Sequence, residues 1–329
     1  MYISPNFRLT GLDSDSSRWL FSTLTGPMVP NSQYLTGSYS LRVNQMFLQA
    51  PFPYYGGKKT VARLIWERFG SVPNYVEPFF GSGATLLNRP LTCFPVSETV
   101  NDRDCFLSNF WRTVKFSRKK LLTHLDYPVS EIDLYARRSW IKDRVFAYES
   151  DFRNNAEFHD PELAAWWVWG QCQWIGGDYT SGSQSRKRPS SHGRGVHSKR
   201  LRGKSLNDLL NRLEKRFRHV DIHCGDWKRL VTPQMTFKRG ITGVFLDPPY
   251  LKSTRTVGLY GVDDIQVAND VFKWATENGS NPKLKIAVCG LEGDYNFASD
   301  WDCVAWSAPG RSRNSTNERI WFSPSLRGE

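Results

Sequence analysis

The chain has 329 residues, with 44 Lys and Arg against 32 Asp and Glu and a net charge of +12; this length predicts two domains, or one large domain carrying an insertion. Hydrophobic residues at 40% and charged residues at 23% exclude a wholly disordered chain, and a globular chain of this size buries about 75% of its unfolded surface without a metal or disulfide to hold it together. The basic excess, with 13 Trp, 13 Tyr and 20 Phe as flat faces for packing or base stacking, points to an anionic partner, nucleic acid first.

The cysteines at 93, 105, 172, 224, 289 and 303 form no Cys-x-x-Cys pair and no His-flanked cluster, so neither zinc nor a disulfide framework is expected. Residues 1–30 lack the basic start and apolar run of a signal peptide. The apolar stretches are broken well short of the ~20 residues that a membrane span needs. These features predict a soluble, cytoplasmic protein.

Residues 1–45 are rich in Ser, Thr, Gly and Asn and show no sustained periodicity, so a folded domain is expected to start near Met46. The preceding stretch is then either an extension outside the fold or an arm packed on it. From Thr60, the spacing of Val61, Leu64, Ile65 and Phe69 predicts a helix that stops at Gly70. Residues 74–79 read as a strand running into Gly81-Ser82-Gly83 and a second helix closed by Pro90. Residues 96–100 read as another strand with Asn101-Asp102 at its end, followed by a helix over 104–115. Strand, glycine turn, helix, strand is the opening of a βαβ unit.

The stretch 117–219 differs in character. A buried helix is expected over 161–175, from Leu163, Ala164, Trp166, Trp167, Trp169 and Trp174. Residues 181–204 are Ser/Gly/Arg-rich and contain no Asp or Glu. Their Arg186, Lys187, Arg188, Arg194, Lys199, Arg200, Arg202 and Lys204 amount to two-thirds of the net excess of +12. Such charges suit DNA phosphates, and binding would weaken with salt at a log–log slope near −0.9 per phosphate contacted; the other reading is a solvated loop. His192 and His197 read as loop residues rather than ligands. Ser205 is expected to cap a helix with Leu206, Leu209, Leu210, Leu213 and Phe217 on one face. Strands follow over 220–224, 241–246, 285–289, 303–306 and 319–322, with a helix over 263–278. The division is thus an extension (1–45), a first catalytic part (46–116), an inserted region (117–219) and a second catalytic part (220–329).

Three stretches carry chemistry. In Val76-Glu77-Pro78-Phe79-Phe80-Gly81-Ser82-Gly83-Ala84, a strand ends in an acid and glycines open a helix, which suits a ligand with an adenosine and an amino-acid tail. A purely structural turn has the same spacing. Asp102, ending the next strand, can accept both hydroxyls of a ribose or cap the following helix. In Asp247-Pro248-Pro249-Tyr250, two prolines remove two N–H donors and stiffen the chain. The Asp247 carboxylate and the Pro248 carbonyl can accept both hydrogens of an exocyclic amino group, while Tyr250 stacks on the base that bears it. A plain proline turn at a strand end is the other reading.

Tyr54-Tyr55-Gly56-Gly57-Lys58, the Glu77-to-Gly83 stretch, Asn101-Asp102 and Asp247-Pro248-Pro249-Tyr250 together resemble, in type and order, the Dam-like DNA adenine methyltransferases. The tract 164–177 (AAWWVWGQCQWIGG) and the ending ERIWFSP at 318–324 look closer to phage-type members, and the order of motifs is similar to the family's alpha group. The resemblance covers residues 51–324. It implies a Rossmann-like class I S-adenosylmethionine-dependent methyltransferase fold with an inserted, mainly helical target-recognition domain. It also implies transfer of methyl to the 6-amino group of adenine in double-stranded DNA, by a monomer in a bacterial or phage-infected cell, without metal or membrane. Carried over by motif, Tyr54, Lys58, Glu77, Pro78, Phe79, Gly81 and Gly83 would hold S-adenosylmethionine, with Asp102 on the ribose and Asp226 on the cofactor's adenine. Asp247, Pro248, Pro249 and Tyr250 would form the catalytic pocket. The same fold with cytosine's 4-amino group or RNA as acceptor, and an inactive DNA-binding relative, are the alternatives.

Overall fold

The computed structural model describes residues 48–54, 57–90, 96–125, 127–174, 179–180, 195–198, 201, 203–250, 262–306 and 317–326, all within a compact unit of residues 46–329. In chain order the elements are α1 (Ala62–Phe69), β1 (Asn74–Glu77), α2 (Ala84–Leu87), β2 (Ser97–Asp102), α3 (Cys105–Leu125), α4 (Glu131–Asn154) and α5 (Pro161–Gln171). They continue with α6 (Lys204–Phe217), β3 (Val220–Cys224), β4 (Thr242–Leu246), α7 (Val262–Asn278), β5 (Leu284–Leu291), β6 (Asp302–Trp306) and β7 (Glu318–Phe322).

The strands form one seven-stranded sheet in the order β3-β2-β1-β4-β5-β7-β6. The five from β3 to β5 run parallel, and β7 is antiparallel to both of its neighbours. This is an α/β fold compatible with the Rossmann-like architecture. Every residue of β1, β4 and β5 is buried, as covered parallel strands require, while β6, at the edge, alternates between partly buried and exposed residues.

Side chains alternate between the two faces. Val76, Val244, Leu246, Ile286, Val288 and Trp321 join one core beneath α7, with Val271, Ala275 and Trp301. Tyr75, Val100, Phe245, Ala287, Cys289 and Ile320 point the other way, into a larger core shared by α1 to α6. Among the described residues the stretch 117–219 is helical, and its helices sit in that same core: Leu134 and Phe152 of α4, Trp167 and Trp169 of α5, and Leu210, Leu213 and Phe217 of α6. Buried Arg112 of α3 ties this layer to the sheet, donating to the carbonyls of Phe152 (2.7 Å), Asn155 (3.2 Å) and Ile222 (3.3 Å). Two of those carbonyls lie at the C-terminal end of α4, where a cation also meets the helix dipole.

Several expectations need correction. The helix expected over 104–115 runs on to Leu125 and is broken at Ser117 (φ −143°, ψ 36°), whose hydroxyl meets His159 Nε2 at 2.7 Å, a partner outside the helix. The second helix is a single turn. The helix expected over 161–175 ends at Gln171. Ser205 does not cap α6: Gly203 holds that position without a side-chain cap, and Ser205 lies inside the helix. The five apolar residues named for α6 are buried as its spacing predicts. Helix α4 was not expected; of its 24 residues only Leu134, Ile141 and Phe152 are buried. His197 lies at the end of the short turn Gly195–His197 and is buried, with Trp169 O at 3.2 Å.

Candidate functional site

The chain runs outward from β1 through β2 to β3 and then returns to the other side of β1 with β4. Between β1 and β4 the connections leave in opposite directions, and in open α/β sheets the crevice outside the carboxyl ends of such a pair is where ligands bind. A cavity of about 210 Å³ lies there. It gathers ten of the residues singled out from the sequence: Tyr54, Lys58, Glu77, Phe79, Gly81, Asp102, Asp247, Pro248, Pro249 and Tyr250.

Parity along the strands explains part of this convergence. Glu77 shares a face with Tyr75, and Asp247, one residue past β4, continues the face of Phe245. Lys58, just before α1, reaches in from the same side: its Nζ lies 2.7 Å from Asp247 Oδ2 and 5.3 Å from the centre of the Tyr250 ring. Burial works against the Lys58 charge, but Asp247, Cys289 and Glu318 outweigh it and raise its pKa. Lys58 is therefore a fixed cation pinned to the first residue of the Asp-Pro-Pro-Tyr motif.

Glu77 accepts the Tyr75 hydroxyl at 2.8 Å. Burial pushes its carboxyl well above the usual range; the Tyr75 hydrogen bond opposes this, and the nearby Asp247 charge adds to it. Asp102 is held differently. Its Oδ2 accepts the Gly81 N–H at 2.8 Å and its Oδ1 the Asp104 N–H at 2.9 Å. Burial raises it to about 6, and backbone N–H groups at 104, 81 and 103 pull the other way. The cap of α3 is Asp104, which accepts the Phe106 N–H at 2.8 Å; Asp102 instead clasps the glycine turn.

That turn is built for close approach. Gly81 has φ +49°, and a Cβ there would meet Tyr54 Cε1 at 2.8 Å, so a side chain would displace the tyrosine ring from the cavity wall. Trp111 Nε1 donates to the Gly81 carbonyl at 3.1 Å and fixes the turn from below. Gly83 does not line the cavity; its φ of +67° lets the chain enter α2, and Phe80 fills the space a Cβ would need. Pro78 lies behind the wall, its carbonyl accepting Asn101 Nδ2 at 3.0 Å. The same amide nitrogen reaches Gly225 O at 3.0 Å, so Asn101 binds the ends of β1 and β3 together.

Asp226 is outside the cavity. It is exposed and accepts the Lys228 N–H at 2.9 Å, opening the short turn Trp227–Arg229. Trp227 reaches the site indirectly, packing against Phe79 at 5.8 Å between ring centres. Arg186, Lys187, Arg188, Arg194, Lys199, Arg200 and Arg202 lie outside the described residues, as do Tyr55, Gly56, His192 and residues 1–45. Lys204 is described: exposed, at the first position of α6.

The cavity also has walls to which motif reading gave no role: Gly57, Phe80, Ser82 and Ala84 inside the quoted motifs, Glu318 in the ERIWFSP ending, and Thr85 and Phe245 outside them. Glu318, the first residue of β7, accepts the Tyr250 hydroxyl at 2.7 Å. Its parity with Ile320 and Phe322 puts it on the face of Cys289 and Asp247, a signal that needs the register of β7 to be read. Among the described residues no group of three His, Cys, Asp or Glu side chains could hold a metal ion, and no helix is long and apolar enough to cross a membrane.

Compared with models of known protein families and with curated proteins, the chain matches none.

Proposed function

We propose that the protein is a DNA adenine methyltransferase that uses S-adenosylmethionine. The observation that carries this reading is the joining of the glycine turn, Asp102 and Asp247-Pro248-Pro249-Tyr250 in one cavity at the carboxyl ends of β1, β2 and β4.

The residues present fit such a cofactor. Gly81 has no room for a Cβ beneath Tyr54, as a wall pressed against a ligand requires, and Thr85 Oγ1 is a buried hydroxyl on that wall without a hydrogen-bond partner. Asp102 offers remaining lone pairs to a diol, while Tyr54, Glu77 and Gly81 would hold the amino-acid end. Lys58, expected there from the motif, is engaged with Asp247; it would act on the base side, holding that carboxylate in place. When bound, the cofactor supplies a methyl group already activated by its sulfonium.

This chain's own part is to position and to accept hydrogen bonds. Asp247 and the Pro248 carbonyl would accept the two hydrogens of the exocyclic amine, drawing its lone pair out of conjugation with the ring. Tyr250 would stack on the base, worth about 1–3 kcal/mol against the few kcal/mol needed to swing it out of the duplex. No covalent enzyme intermediate is required, and preorganised acceptors account for the rate.

The decisive experiment incubates the protein with labelled cofactor and unmethylated DNA, digests the DNA and identifies the methylated nucleoside by mass spectrometry. N6-methyl-2′-deoxyadenosine is expected; N4-methyl-2′-deoxycytidine would move the acceptor, and no methylated nucleoside would sink the reading. Asp247→Asn keeps the side chain's shape beside Lys58 and should lower transfer by on the order of 10²–10³-fold with cofactor binding retained.

A further inference from the structure

The Tyr250 hydroxyl stands between two carboxylates, 2.7 Å from Glu318 Oε2 and 3.4 Å from Asp247 Oδ1. A hydroxyl has one proton to donate. The shorter separation is that of an ordinary O–H···O bond and the longer one lies beyond it, so the proton goes to Glu318. Burial, with Asp247, Cys289 and Glu318 nearby, pushes the phenol well above its ordinary range and keeps that proton on the oxygen. Asp247 Oδ2 meanwhile faces Lys58 at 2.7 Å. Among the described residues, Oδ1 is thus the carboxylate atom open to a substrate amine, and the Tyr250 hydroxyl is the donor that would compete for it.

We propose that Glu318 is a positioning residue for the amine: by accepting the Tyr250 proton it keeps that proton off Asp247 Oδ1, leaving the oxygen to the substrate. The role rests on the methyl-transfer reading above. Glu318 touches neither the reacting nitrogen nor the methyl group in this scheme. As the amine nitrogen bonds to the methyl carbon, the carbon–sulfur bond breaks and a neutral thioether leaves; until the nitrogen gives up one proton to solvent it is positive and its N–H groups are stronger donors, so an open Oδ1 matters more in the transition state than in substrate binding. With Glu318 truncated, the Tyr250 hydroxyl has Asp247 Oδ1 as its remaining acceptor of the two and turns toward it.

The test is a double-mutant cycle in the full-length protein, read as kcat and KM for methyl transfer to DNA, with thermal melting as the folding control. Glu318→Ala is expected to lower kcat on the order of 10- to 100-fold with little change in KM for the cofactor. Tyr250→Phe keeps the stacking ring and removes the competing donor. The Glu318→Ala/Tyr250→Phe protein should therefore work at the level of Tyr250→Phe alone, the second change suppressing the first. Glu318→Gln, which keeps an acceptor oxygen, should lose less than Glu318→Ala. Additive losses in the cycle, or a Glu318→Ala protein as fast as the unaltered one, would overturn the role while leaving the methyl-transfer reading intact. An unaltered protein that transfers no methyl to DNA would overturn both.

Discussion

Near the start of β2, Glu98 is held between two arginines; just past the end of β4, Asp247 is held by one lysine. Glu98 accepts Arg89 Nη1 at 3.0 Å on Oε1, and Arg216 on both oxygens, at 2.6 and 2.8 Å. Each arginine also donates to a carbonyl, Arg89 to Val72 and Arg216 to Leu86. That network is closed: it joins β2, α6 and the segment after α2 and presents nothing to the cavity. Among the described residues, Asp247 has Lys58 on Oδ2 and only the distant Tyr250 hydroxyl on Oδ1, and it faces a cavity. Both carboxylates stand beside cations in the same layer, Glu98 buried and Asp247 partly so, and burial of charge does not by itself mark a site. An acceptor left incomplete at a crevice does.

Substitutions should separate the two networks. The largest effect on stability is expected from Glu98→Ala, which strands two guanidinium groups, one of them buried, and should cost about 3–5 kcal/mol in urea unfolding. Cofactor affinity of the fraction still folded should be unchanged, and an altered affinity would show that the closed network reaches the site. Lys58→Met should act mainly on chemistry. Asp247 keeps some contact with the cavity, so melting should shift less than for Glu98→Ala, while methyl transfer should fall about 10²-fold, or roughly 3 kcal/mol at the barrier. A Lys58→Met protein with unaltered kcat would remove the lysine from the base side.

Asp102 gives the next effect, seen in pH dependence. Its folded-state value of about 6 lies above the ordinary 3.8, so the folded protein holds this proton more tightly than the unfolded chain. Its contribution to stability is full below about pH 4 and is lost as pH rises through about 6, a change of roughly 3 kcal/mol. Affinity for a diol-bearing ligand should run the opposite way, rising as the carboxylate forms. Asp102→Asn should flatten both profiles over this window, and an unchanged binding profile would take the ribose role from Asp102. The smallest effect is expected from Asp226→Ala: loss of a cap on an exposed turn, about 1 kcal/mol. A large fall in cofactor affinity in that variant would show that the turn closes onto the ligand.

Much of the fold was legible because parallel strands buried on both faces read as short apolar runs. Glycine, proline and acids at their ends marked where the chain leaves the sheet, as at Glu77, Asp102 and Asp247. Helix α6 announced itself through Leu206, Leu209, Leu210, Leu213 and Phe217 on one face. Helix α4 did not: three buried residues among 24 leave almost no periodic signal, and its place depends on distant partners such as Arg112, which holds the carbonyls at its end.

The sequence by itself determined which acids and glycines end strands, and the period of two determined that Glu77 and Asp247 each share a face with an apolar neighbour buried in the larger core. Only the tertiary structure decided who stands opposite whom. Strand order set β4 beside β1, which brought Lys58 to Asp247 rather than to the far end of the cavity. The antiparallel register of β7 against β5 delivered Glu318 to Tyr250 from 68 positions along the chain. The physical reason is that side-chain direction is a local property of the backbone, whereas pairing between strands depends on crossover connections and on packing of the whole layer.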